Sequence, residues 1–138
     1  GLWGFSLVSD IIAMTTANPV WRDVAFYTLA AGTVSAVGAA IFGIIDYFSI
    51  RDARVAKTAA WHARFNVLAL ILFAADWYLR TNGGMQHVGG SYAIPFTLSV
   101  VGNIVVVISG WLGGELVYVH RVAVQPQPTE PPGTPARQ

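Results

Sequence analysis

The sequence predicts an all-α fold, a transmembrane four-helix bundle of up-down topology, from three observations. Apolar runs of membrane-crossing length recur along the chain. Each run carries a stripe of small and polar residues at helical spacing. Charge is scarce and gathers at the ends of the runs. Hydrophobic types make up 54% of the 138 residues and charged types 11%, against about 25% charged in a soluble domain. The formal net charge of +1 leaves no basic surface for nucleic acid. With no cysteine in the chain, disulfides, thiolate-ligated iron–sulfur clusters and covalent haem attachment are excluded.

Crossing the hydrocarbon core takes about 20 apolar residues as helix. The first element, about 2–17 (LWGFSLVSDIIAMTTA), is short for a span. The chain opens at Gly1 inside an apolar segment, with neither the basic start nor the small-residue cleavage pattern of a signal peptide. A first helix that starts before Gly1 is therefore expected. Asn18-Pro19 stops that helix. Three full spans follow at about 24–49, 59–80 and 95–120, with Pro95 in the first turn of the last, where it is tolerated. Residues 81–94 form a Gly-rich loop. Residues 1–124 thus make one transmembrane domain, and the Pro-rich stretch 125–138 reads as a flexible, extended tail.

Charge asymmetry gives the orientation. Arg51, Arg54, Lys57 and Arg64 cluster around the second connection, and Arg121 and Arg137 follow the last helix, whereas the other side has Arg22 and Arg80. The positive-inside rule places that connection and both termini in the cytoplasm, as in a multi-pass membrane protein. Trp21, Trp61, Trp77 and Trp111 lie towards helix ends, as interface anchors do.

Lipid is as apolar as leucine, so membrane helices associate through close packing and buried polar groups. The inward stripes read Ser6, Asp10, Ala13, Ala17; Thr28, Gly32, Ser35, Ala39, Phe42, Asp46; His62, Asn66, Ala69, Phe73, Asp76; and Ser99, Asn103, Val106, Gly110, Gly113, Val117, His120. Gly110 and Gly114 add a Gly-x-x-x-Gly pair. Each helix carries one acid, and an isolated charge at mid-membrane costs about 2.5–3.5 kcal/mol, so Asp10, Asp46, Asp76 and Glu115 need partners. Asp10 and Asp76 fall near Arg80 and Arg22 at the outer end. With Asn103 and Glu115 they read as structural intramembrane polar residues. Glu115 points about 200° away from Gly113 and fits a register-fixing ion pair with a basic loop residue such as Arg54. At the inner end His62 and His120 close two neighbouring stripes. Two histidines on facing helices can ligate a b-type haem or a metal, with Asn66 and Asp46 beside them to tune it. His87, in the outer loop, carries no role.

Three stretches resemble a known family. GIIDYFSIRDAR (43–54), HARFNVLALILF (62–73) and GWLGGELVYVHRVAV (110–124) are similar to the bacterial four-helix membrane proteins of domain-of-unknown-function family 2231. The resemblance implies an N-terminal His-Pro-rich segment leading into the first helix, which this sequence lacks, and whose histidines would lie on the side of His62 and His120.

The motifs of soluble enzymes are missing: there is no phosphate loop, no His-Glu-x-x-His and no Gly-x-Ser-x-Gly. Nothing specifies a substrate, so the chain is not read as an enzyme. The sequence points to an accessory or redox-associated subunit of a bacterial membrane complex, in contact with the bilayer and with other membrane subunits. The alternatives are a purely structural subunit without cofactor and a small proton or ion pathway through Asp10, Asp76, Asp46 and Glu115.

Overall fold

The computed structural model describes residues 1–82 and 92–119. His87, His120, Arg121, the centre of the Gly-rich loop and the 125–138 tail lie outside the described residues. Four helices account for nearly all of the rest: α1 (Leu2–Thr16), α2 (Val20–Ser49), α3 (Ala53–Asn82) and α4 (Ala93–Tyr118). No strand occurs among the described residues. The last three are long and apolar enough to cross a membrane.

Local chemistry sets the boundaries. Helix α1 ends at Ala17, which turns into the left-handed region at φ 54°. The Asn18 side chain then accepts a hydrogen bond from the Val20 amide at 3.0 Å, and Pro19, already at helical angles, leads α2 off. Helix α2 therefore starts at Val20, four residues before the expected 24. Helix α3 starts at Ala53, six residues before the expected 59. Asp52 explains it: its carboxylate accepts from the amides of Arg54 (2.7 Å) and Val55 (3.5 Å), the geometry of a helix N-cap.

The helices pack in a ring, α1 on α2, α2 on α3, α3 on α4 and α4 back on α1. Helices α1 and α3 face each other across the diagonal and meet only through side chains. Trp3 stacks on Phe73 with ring centroids 4.1 Å apart, and Leu29, Ala69 and Val105 complete the apolar centre. Two glycines make room for these rings. A Cβ at Gly32 would sit 2.8 Å from Trp3 Cδ1, and one at Gly102 would sit 2.7 Å from Phe73 Cζ.

Polarity is inverted relative to a soluble bundle. Ser6, Ser9, Asp10, Thr33, Asp76, Arg80, Ser99 and Ser109 are buried, while Phe42, Phe48 and Trp111 are largely exposed. That is the arrangement lipid selects, since apolar side chains gain nothing by leaving hydrocarbon.

The expected stripes hold in part. In α3 Ala69, Phe73 and Asp76 are buried, but Asn66 is exposed. In α4 the buried line runs through Ser99, Gly102, Val105 and Ser109, because Phe73 needs the glycine at 102. Gly110 and Val117, expected inside, are exposed. No other helix approaches Gly110 or Gly114 within 4 Å, so this pair makes no crossing within the chain. In α2 the buried residues are Ala25, Leu29, Gly32 and Thr33. Ser35, Ala39, Phe42 and Asp46 are exposed instead, beyond Gly32, where Leu2 and Trp3 of α1 pack on α2.

Candidate functional site: a buried Asp–Arg–Asp cluster

The most concentrated polar chemistry lies where α1, α3 and α4 converge. Asp76 and Arg80 are one turn apart on α3, so their side chains share a face. Arg80 Nε donates to Asp76 Oδ1 at 2.7 Å. Its two terminal nitrogens reach across the diagonal to Asp10, Nη1 to Oδ1 at 2.9 Å and Nη2 to Oδ2 at 2.8 Å. This is the bidentate fork that a guanidinium offers a carboxylate. Nη2 also donates to Asp76 Oδ2 (3.2 Å) and Ser99 Oγ (3.1 Å), and Ser99 donates to Asp76 Oδ2 at 2.7 Å. The Tyr92 hydroxyl donates to Asp10 Oδ1. All four carboxylate oxygens thus accept hydrogen bonds, and Asp10, Asp76 and Arg80 are almost wholly enclosed.

Tyr92 closes the cluster at its outer edge. It immediately precedes α4, and its ring lies between two guanidinium groups, Arg22 and Arg80, each 5.6 Å from the ring centroid. Burial, reinforced by the hydrogen bond to Asp10, raises the phenol well above the ordinary tyrosine range. The hydroxyl therefore remains a donor at physiological pH. Two carboxylates against one guanidinium leave a formal excess of one negative charge, which the Tyr92 donor and the nearby Arg22 offset.

Other polar side chains tie pairs of helices. Ser6 donates to the Ala25 carbonyl at 2.7 Å and Trp3 Nε1 to Thr33 Oγ1 at 3.2 Å, joining α1 to α2. Asn103 donates to the Ser99 carbonyl at 2.8 Å and, more weakly, to the Trp3 carbonyl at 3.4 Å.

His62 joins α3 to α4. Its Nδ1 donates to the Ser109 carbonyl at 2.8 Å, with Ser109 Oγ 3.2 Å away. That proton assignment leaves Nε2 as the acceptor, and Asn66 Nδ2 lies 2.9 Å from it. The ring edge packs on α4 at Gly113, where an added Cβ would come within 3.0 Å. Nδ1 is thus held by α4, and Nε2, which keeps the lone pair, faces Asn66 of its own helix; the second expected ligand, His120, lies outside the described residues. Asp46 is exposed on α2. Glu115 is half-buried on α4. Among the described residues no three histidine or acidic side chains come together as a metal site.

Sequence reasoning placed Asp10, Asp76 and Arg80 at one end of the bundle. It took Ser99 for a packing residue and passed over Tyr92. The spacing of Asp76 and Arg80 is the signal that marks the cluster. Nothing local to Tyr92 announces its partner 82 positions away.

A family model described as a predicted membrane protein (DUF2231) matches residues 1–126. The chain belongs to the DUF2231 family. The match covers the whole DUF2231 bundle described above, including all three members of the ionic cluster and His62. No curated protein and no solved structure matches this DUF2231 chain.

Proposed function

We propose that this DUF2231 protein is an accessory, structural subunit of a larger complex in a bacterial inner membrane, with the α2–α3 connection facing the cytoplasm. One observation carries the reading. From Val34 to Ser49 helix α2 buries no residue against the described residues, and this half presents Ser35, Ala39 and Gly43 outward at four-residue spacing, continuing from Ala31. Small residues at that spacing let a second helix backbone approach closely, which is how membrane helices associate. Lipid needs no such surface. The Asp10–Arg80–Asp76 cluster complements it by fixing the opposite end of the bundle, so that α2 is presented on a rigid support.

The test is site-specific photo-cross-linking from Ser35, Ala39 and Phe42 in native membranes. The expected product is a discrete adduct with one other membrane protein from these positions, and none from Ile71 on the lipid side of α3. A chain that migrates only as a free monomer on native gels, with no adduct from any of the three, defeats the proposal.

A further inference from the structure

Helix α3 is too long for the membrane it crosses. Its 30 residues extend about 45 Å at 1.5 Å per residue, against a hydrocarbon core of about 30 Å. The uninterrupted apolar run of α3 is 67–75, and the stretch before it, 53–64 (ARVAKTAAWHAR), forms the basic end of the helix. This stretch carries three cations, Arg54, Lys57 and Arg64, and no acid follows until Asp76. At 3.6 residues per turn, Arg54, Lys57, Trp61 and Arg64 fall within an arc of about 80°. All four are exposed. The Arg64 guanidinium lies 4.9 Å from the Trp61 ring centroid, which holds the cation at the interface. Further along the same side, Leu68 and Ile71 are exposed and apolar. Asp52, just before this face, directs its carboxylate to the Arg54 and Val55 amides.

We infer that this face of α3 binds an anionic phospholipid, with the phosphodiester held by Arg54, Lys57 and Arg64, the Trp61 ring at the glycerol level and an acyl chain along Leu68 and Ile71. A row of exposed cations that continues into an apolar track matches both halves of such a lipid. A neutral lipid lacks the first half of the match and a soluble anion the second. The face is separate from the α2 surface, so the inference stands independently of the accessory role.

Native mass spectrometry of the full chain released from detergent tests it, with phosphatidylglycerol and phosphatidylcholine of matched acyl chains added in equal amounts. The expected result is preferential retention of a phosphatidylglycerol adduct. Each neutralisation among Arg54→Gln, Lys57→Gln and Arg64→Gln should weaken it about fivefold. Arg22→Gln, at the other end of the bundle, should leave it unchanged. Equal retention of the two lipids overturns the inference, as does an adduct indifferent to the triple variant. Displacement of the lipid by millimolar inorganic phosphate also overturns it, in favour of a free-phosphate site. Circular dichroism of each variant confirms that the helices are retained, as expected for exposed positions.

Discussion

Arg80 is the residue on which the rest of the interior depends. It is the one cation in a buried set with two carboxylates, and it makes five hydrogen bonds, two to Asp76 on its own helix and three across to Asp10 and Ser99. Removing one partner of a buried pair leaves the others uncompensated, at a cost of about 3–5 kcal/mol. Arg80→Met is therefore expected to lower stability by about that amount in a detergent melt. The triple replacement Asp10→Leu, Asp76→Leu, Arg80→Met should regain most of the loss, because no unpaired charge remains. If the triple variant is as unstable as the single one, uncompensated charge is not the reason for the loss. Gly102 tests packing in the same interior. An alanine Cβ there meets the Phe73 ring at 2.7 Å, and Phe73 is pinned by Trp3 on its other side. Overpacking of this kind costs about 1–3 kcal/mol, so Gly102→Ala should lower the melting temperature. A Phe73→Leu background should remove part of that penalty.

Among the elements, α3 shows how a cap extends a helix beyond its apolar run. Asp52→Ala removes the acceptor of the Arg54 and Val55 amides and should cost about 1 kcal/mol. The loss should appear as faster hydrogen exchange at those two amides, while amides near Phe73 keep their protection. The existence of four helices was legible because apolar length is a property of the local sequence. The early starts of α2 and α3 were not, because reading for hydrophobic length ignores polar residues that cap. Asn18 and Asp52 were nonetheless visible as N-cap types. The inward faces were legible where all four helices run side by side, at Ser6, Asp10, Ala69, Phe73, Asp76 and Ser99. Along the second half of α2 the periodicity continues, but Ser35, Ala39, Phe42 and Asp46 are exposed among the described residues. A stripe states which residues share a side of a helix. What that side meets depends on where the neighbouring helix stops. His62 shows the same limit: its place on a stripe beside Asn66 was visible, but its engagement by Ser109 belongs to the packing of α3 on α4.

At the scale of the whole molecule, the bundle is asymmetric along its axis. One end is closed by a salt-bridged cluster that joins three helices and takes in Tyr92 beside Arg22. Towards the other end α2 leaves its small residues uncovered, and a Cβ at Gly38 or Gly43 would meet nothing within 4 Å. This asymmetry separates folding from assembly, and a single substitution can tell them apart. Gly43→Leu adds a large side chain where none of the described residues lies within 4 Å of the new Cβ, so the isolated protein should keep its stability to within about 0.5 kcal/mol. The same side chain would hold a partner helix away from the α2 backbone. In native membranes the variant should therefore lose the adduct formed from Ala39 while its detergent melt is unchanged. A variant that melts normally and keeps the adduct would mean that the partner does not approach along Ser35, Ala39 and Gly43. One that melts early would show that α2 is covered by the chain itself after all.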